Sequence, residues 1–153
     1  FNVSFAGFGL EEQALRLGTL IEENTLAGIG AENADRLFSS SGYFASIDSD
    51  AAVSFAVDYT AAFGADAPAL NGLGQSAYEG LMLLAALANK AGSLDVAAMD
   101  AAAEGTTWST PRGENTLTGR HMAQTIYLAD GSGGTFDIVA SFDKVASSEA
   151  CAD

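Results

Sequence analysis

The sequence is poor in cysteine, histidine and basic residues, and each shortage argues against a class of protein. Its one cysteine, Cys151, excludes an internal disulfide framework and a cysteine-based zinc site. Its one histidine, His121, excludes a zinc site built from two histidines. Six Lys and Arg residues against 20 Asp and Glu residues give a net charge of −14, which repels phosphate backbones and anionic lipid headgroups. We therefore expect no binding to nucleic acid or to a membrane surface.

Long hydrophobic runs are also missing. The longest, residues 81–88, is far shorter than the roughly 20 apolar residues that a membrane-spanning helix needs, so we expect no direct membrane insertion. What the chain does have is 153 residues, 48% of them hydrophobic, which is enough for one domain with a sizeable core.

The spacing of apolar residues predicts an α/β chain. Residues 3–6 are predicted to form a strand that leads through the turn at 7–9 into a helix at 10–17, and a second strand is predicted at 36–40. Helices follow at 49–64, 72–91 and 95–103. Because the helix at 72–91 is apolar nearly all round from residue 81 to 87, we expect it to be buried on several sides.

The last part of the chain changes to a β pattern. Alternating or β-branched residues predict strands at 106–109, 115–118, 123–129 and 135–142. The segments 124–128 and 136–139 flank a glycine-rich turn and are predicted to pair as a terminal β-hairpin. Residues 143–153 lose this periodicity and are predicted to form a polar tail. The expected architecture is a parallel-type α/β core with a β-hairpin at its end.

The start of the chain predicts that it is a fragment. It opens with Phe1 rather than Met, and the predicted strand at 3–6 begins almost at once. A strand in a sheet needs neighbours to satisfy its backbone groups. We therefore expect a missing half of the fold, a symmetry partner or a companion chain.

No pattern in the sequence favours catalysis or a cofactor. His121 has no metal-ligating neighbour at a suitable spacing, and the acidic residues show no spacing that would couple two carboxylates. The Gly7-Phe8-Gly9 turn lacks the third glycine of a dinucleotide loop, and Glu11 and Glu12 would repel a pyrophosphate. We expect no enzymatic activity, no catalytic residue, no metal and no cofactor.

Three passages, in this order, resemble one protein family. They are GYFASIDS at 42–49 with a helix that ends at Gly64; SAYEG at 76–80 with KAGS at 90–93; and TPRGENTL at 110–117 with RHM at 120–122 and QTIYLA at 124–129. Together they resemble the type 1 periplasmic solute-binding proteins of ABC transporters, in the group of amide, urea and branched-chain amino-acid receptors. The resemblance spans residues 1–142 and matches the carboxy-terminal portion of such a receptor.

The resemblance implies a Rossmann-like fold of two lobes, with pieces of both lobes in residues 1–142. It implies an extracytoplasmic receptor, periplasmic or extracellular and in some cases tethered as a lipoprotein. Such a receptor captures a small polar metabolite, such as an amide, urea or an amino acid, and delivers it to an ABC permease. Two alternatives stay open: an intracellular ligand-sensing regulator of the same fold, and an α/β interaction domain without a ligand.

One ligand-contacting segment is predicted, at Ala6, Gly7, Phe8 and Gly9. Ligands of α/β sheets sit outside the carboxyl ends of strands, beside helix amino termini. The segment follows the predicted strand at 3–6, and by the resemblance it belongs to the receptor pocket. The alternative is that Phe8 is an ordinary core side chain and that the glycines only make a turn.

Overall fold

The computed structural model of the protein describes residues 1–146, which form two β-sheets and five helices. The helices are α1 Asn2–Gly7, α2 Glu23–Ile29, α3 Asp50–Phe63, α4 Gly72–Ala91 and α5 Val96–Ala101. The strands are β1 Arg16–Gly18, β2 Leu37–Ser41, β3 Thr107–Thr110, β4 Gly113–Thr118, β5 His121–Met122, β6 Gln124–Asp130 and β7 Asp137–Val145. Short 3-10 helices lie at Leu10–Glu12 and Ala31–Asn33.

The strand order divides the chain into two units. The four-stranded unit (residues 1–41 and 124–145) contains a sheet in the order β1-β2-β6-β7, in which β1 and β2 are parallel and the other pairs are antiparallel. The helical unit (residues 50–122) contains α3 to α5 and the antiparallel sheet β3-β4-β5. The chain thus leaves the first sheet after β2 and returns to it with β6.

Two buried clusters hold these elements together. In the first, Leu26, Leu37 and Phe44 pack with Phe136, and the rings of Phe44 and Phe136 lie 4.8 Å apart. The second cluster contains Tyr43, Ile47, Ala52 and Leu70, and Tyr127 and Ile138 of the four-stranded unit pack against it. The second cluster therefore joins α3 to the first sheet.

Several predicted elements are confirmed. Helix α3 begins after Ser49, whose hydroxyl accepts a hydrogen bond from the amide of Ala52 at 3.3 Å. Helix α4 has the predicted bounds, and α5 lies inside its predicted range, with Asp95 as its amino-terminal cap. The antiparallel pair β6–β7 is the predicted hairpin.

The prediction for the first 17 residues is wrong. Residues 2–7 form helix α1 instead of a strand, and residues 16–18 form strand β1 where a helix was expected. Arg16 joins the two segments, because its guanidinium donates to the carbonyl oxygen of Asn2 at 3.3 Å and lies 4.8 Å from the ring of Phe5. It also donates to the carbonyl oxygen of Asp35 at 2.7 Å, which places β1 beside β2.

Three further expectations need correction. Of the four strands in the first sheet, only β1 and β2 are parallel, so the core is mixed rather than parallel-type. Helix α4 buries only Gln75 and Glu79, whereas Leu73 and Leu81 are 75% and 70% exposed, so it is not buried on several sides. Residues 143–145 extend β7, while the rest of the predicted polar tail, from residue 147, lies outside the described residues.

Gly92 ends α4 in the left-handed conformation, at a φ of 63°. A Cβ at this position would meet no atom within 4 Å, so substitution strains only the backbone. We expect Gly92→Ala to lower the free energy of unfolding by about 1 kcal/mol in a denaturant titration. Gly80→Ala is the control, since it also adds a methyl group in open space, but inside the helix, where it should stabilise by about 0.5–1 kcal/mol. Equal effects of the two variants would contradict the prediction.

Candidate functional site

A polar cleft of about 440 Å³ lies where the two units meet. The four-stranded unit contributes residues 19–22, which link β1 to α2, and Ser41, the last residue of β2; residues 42–43 directly after it also line the cleft. The helical unit contributes the first turn of α4 and the side chain of Arg112. Because β1 and β2 are parallel, their carboxyl ends meet at this edge, which is where α/β sheets place their ligands.

A hydrogen bond from Ser39 and the missing side chain of Gly42 shape the floor of the cleft. The hydroxyl of the buried Ser39 donates to the carbonyl oxygen of Ile21 at 2.6 Å, which holds the loop after β1 against β2. Gly42 leaves space for two side chains, because a Cβ there would lie 2.6 Å from Nη1 of Arg112 and 2.9 Å from Oε1 of Gln124. A larger residue at position 42 would therefore displace Arg112.

Gln75 is the buried polar group of the cleft that has no partner. It lies in the first turn of α4 and is 0% exposed, and neither its Oε1 nor its Nε2 makes a hydrogen bond with the described residues. A buried amide without a hydrogen bond costs about 1–3 kcal/mol. Gln75 also lines the cleft, so a molecule bound there would lie beside this unpaired amide.

Arg112 is neutralised by its neighbours. Its Nε donates to Oε1 of Glu79 at 3.0 Å, and its Nη2 pairs with the other oxygen of the same carboxylate. Its Nη1 donates to the carbonyl oxygen of Gly42 at 3.3 Å and to Oε1 of Gln124. The two charged side chains are only 8% and 4% exposed, so this buried pair joins α4, the β3–β4 turn, the exit of β2 and the start of β6.

Glu22 connects the starts of α2 and α4 across the cleft. Its carboxylate accepts hydrogen bonds from the amides of Thr25 at 2.7 Å and Asn24 at 3.0 Å, and from Nδ2 of Asn71 at 2.5 Å. Desolvation acts to raise the pKa of Glu22, but hydrogen bonds from Thr25, Asn24 and Asn71 outweigh it and lower the pKa to about 2. The carboxylate is therefore ionised at neutral pH.

Both helix amino termini at the cleft are capped by side chains. Glu22 caps α2, and Oδ1 of Asn71 accepts a hydrogen bond from the amide of Gly74 at 2.9 Å at the start of α4. Tyr43, which also lines the cleft, stays neutral, because burial and the charge of Glu23 raise its pKa to about 12.

An apolar groove of about 570 Å³ lies next to this cleft, between α3 and α4. Its walls include the rings of Phe55, Tyr59, Phe63 and Tyr78. Among the described residues, none of the buried polar atoms that lack a partner belongs to its lining. The polar cleft is therefore the better candidate for recognition of a polar molecule.

The predicted contact segment lies elsewhere. Ala6 and Gly7 end helix α1, Gly9 adopts the left-handed conformation, and the side chain of Phe8 is 79% exposed. None of these four residues lines the polar cleft. Because residues 2–7 are helical, the segment does not lie at the carboxyl end of a strand. In this structure residues 19–22, which follow β1, occupy such a position. A contact between Ala6, Gly7, Phe8 or Gly9 and a ligand stays a prediction.

Sequence reasoning missed the roles of Gln75, Arg112 and Glu22. The signal nearest to them in the sequence is the pair of glycines at 72 and 74, which allows a helix to start close to a neighbouring backbone. A Cβ at Gly72 would indeed lie 3.8 Å from the carbonyl oxygen of Tyr43. His121 lies exposed on β5, and among residues 1–146 no three His, Cys, Asp or Glu side chains are placed to hold a metal ion.

Comparison with known proteins identifies the family. A family model described as "Periplasmic binding protein" matches residues 1–135. The chain belongs to the periplasmic binding protein family. No curated protein sequence matches the chain.

Solved structures of periplasmic binding proteins share the fold of this chain. A solute-binding protein of an ABC transporter from Rhodopseudomonas palustris BisB5, in complex with 3,4-dihydroxybenzoic acid, is 24% identical, with a TM-score of 0.76 over 92% of this chain. One from R. palustris in complex with benzoate is 20% identical, with a TM-score of 0.79 over 97%. The leucine-, isoleucine-, valine-, threonine- and alanine-binding protein from Brucella ovis is 17% identical, with a TM-score of 0.75 over 94%. This chain covers 40% of each of these three proteins.

The recognition of a type 1 periplasmic binding protein with a mixed α/β fold is therefore confirmed. The family consists of binding proteins, in agreement with the prediction that the chain is not an enzyme. In the part of the chain that the structure describes, each helix is too short or too polar to cross a membrane.

Proposed function

We propose that this chain is the carboxy-terminal portion of an extracytoplasmic receptor that captures a small polar solute and delivers it to an ABC importer. The observation that carries the proposal is the unpartnered amide of Gln75 in a cleft between two units of a periplasmic binding protein fold. Similar proteins of known structure are solute-binding proteins of ABC transporters.

In this proposal the two units are pieces of the two lobes of the receptor. The four-stranded unit and the helical unit each contribute one side of the cleft. A solute that contacts both sides does so only when the lobes are closed. Its binding energy therefore shifts the population towards the closed form, which is the form offered to the permease.

The exposed apolar face of α4 supports the proposal that further chain completes the fold. Leu73, Leu81 and Leu84 lie along one helix and are 75%, 70% and 49% exposed. This chain also spans only 40% of the length of the solved proteins that it resembles. We propose that the amino-terminal portion of the receptor, rather than a second copy, covers this face.

The solute is proposed to be an amino acid, an amide, urea or an aromatic acid. The first three follow from the sequence resemblance, and benzoate and 3,4-dihydroxybenzoic acid are bound by two similar proteins. The test is a thermal-shift and calorimetric screen of the complete gene product against these classes. A true solute at 100 times its Kd should add about 2.7 kcal/mol to the free energy of unfolding.

Small-angle scattering provides the second measurement. Addition of the bound solute should reduce the radius of gyration, as expected for closure of two lobes. Cell fractionation should find the gene product outside the cytoplasm. Binding without contraction would contradict the closure mechanism, and a cytoplasmic product would favour the regulator instead.

A further inference from the structure

The polar cleft carries an inference about the chemistry of the solute, which rests on the proposed function. We infer that Gln75 is a specificity-determining residue and that the group it contacts is an uncharged carboxamide. The inference depends on three features of the cleft: the free amide, the neutralised arginine and the capped helix ends.

The first feature is the hydrogen-bonding capacity of Gln75. Its Oε1 can accept and its Nε2 can donate, and both atoms are buried without a partner among residues 1–146. A carboxylate has only acceptors and would leave Oε1 unsatisfied. An ammonium group has only donors and would leave Nε2 unsatisfied. A carboxamide offers a donor and an acceptor side by side, so it pairs with both atoms at once.

The second feature is the charge of the cleft. Arg112 is the only Lys or Arg among the described residues that line it, and its guanidinium is already paired with Glu79 and bonded to Gly42 and Gln124. Glu22 adds an ionised carboxylate to the same lining. A carboxylate entering this side would thus be desolvated beside a like charge without a free cation, which is strongly unfavourable.

The third feature is the capping of the helix ends, which weakens the usual alternative to a cation. Helix amino termini bind anions through free backbone amides. Here the side chains of Glu22 and Asn71 already accept hydrogen bonds from the amides of Thr25 and Gly74, at the starts of α2 and α4. An anion would find these amides occupied, although the amides of Gly72 and Leu73 in the same turn of α4 are not capped.

The test compares solutes that differ only in this group. Isothermal titration calorimetry of the complete gene product at pH 7 would use two pairs: glutamine with glutamate, and 4-carbamoylbenzoate with terephthalate. We expect the carboxamide of at least one pair to bind at least tenfold more tightly than its acid. Gln75→Leu should lower the affinity for that carboxamide at least tenfold, because a site built to hydrogen-bond a polar group loses much of its discrimination without it.

Two controls separate a direct contact from a folding defect. Gln13→Leu makes the same substitution at an exposed glutamine outside the cleft and should leave the affinity unchanged. Gln75→Met keeps an unbranched side chain of similar size without a charge and removes both the donor and the acceptor, so it should also weaken carboxamide binding while the circular dichroism spectrum stays unchanged.

Each other outcome overturns the inference. The inference is wrong if the acid of each pair binds as tightly as its carboxamide. It is also wrong if leucine or benzoate, which carry no carboxamide, binds as tightly as the carboxamide. Unchanged affinity in both Gln75 variants would mean that ordered water satisfies this amide. If the wild-type protein binds none of the solute classes screened, the proposed function itself fails, which is a distinct result.

Discussion

Replacement of Glu79 by leucine is expected to lower the free energy of unfolding by about 3–5 kcal/mol, because it leaves a buried guanidinium without its counter-charge. Arg112 is 8% exposed and takes two of its contacts from Glu79. Its remaining partners, Gly42 and Gln124, are uncharged acceptors and do not replace the carboxylate. Denaturant titration followed by circular dichroism measures the loss.

Two further variants make this expectation specific to the buried pair. Asp100→Ala removes the exposed pair with Arg120, whose side chains are 66% and 87% exposed and 3.8 Å apart, and should change the free energy of unfolding by no more than about 0.5 kcal/mol. The double variant Glu79→Leu with Arg112→Met removes both charges and should recover most of the loss. A cost below about 1 kcal/mol for Glu79→Leu would contradict the role assigned to the pair.

Asn71→Asp is expected to lower the free energy of unfolding by about 1–3 kcal/mol, through the contact across the cleft. An aspartate keeps the cap on the amide of Gly74, since it still offers an oxygen there. It loses the donor to Glu22 and places a second carboxylate 2.5 Å from the first. The variant therefore changes the contact between the two units while it preserves the helix start.

Glu22→Gln tests whether the loss comes from this contact. In the double variant, the new glutamine can donate to the new aspartate, so at least half of the lost stability should return. A double-mutant cycle measures this coupling, and additive effects of the two substitutions would contradict a direct contact.

The pH dependence of stability follows from the same carboxylate. Because the pKa of Glu22 is lowered from 4.5 to about 2, its contribution is fully present above pH 4.5 and disappears as the pH falls through about 2. The stability difference between the wild-type protein and Glu22→Gln should shrink over that window. A constant difference from pH 5 to pH 2 would show that Glu22 does not titrate in this way.

The elements that were predicted well carry their information locally. Helices α3 and α4 have apolar residues at three- and four-residue spacing, and glycines at 64 and 92 stop them. The β6–β7 hairpin has alternating strands around a glycine-rich turn. Short-range periodicity and turn residues are enough for such elements, since neighbours in sequence decide them.

The first 17 residues were predicted poorly because their structure depends on distant partners. A segment as short as residues 3–6 fits a helix turn and a strand equally well. Its surroundings include Arg16, which contacts Asn2 and the carbonyl oxygen of Asp35, 19 residues away from Arg16. The spacing of residues within a short segment cannot predict such a contact.

By itself, the sequence determined the family, the main helices, the terminal hairpin and the lack of any pattern for catalysis, because motifs and periodicity are properties of short segments. Only the tertiary structure decided where the cleft lies and what lines it. Glu79 and Arg112 are 33 residues apart, Glu22 and Asn71 are 49 apart, and only the tertiary packing brings each pair together. Gln75 became a candidate only once its burial and its missing partners were visible, since both depend on how α4 packs beside the ends of β1 and β2.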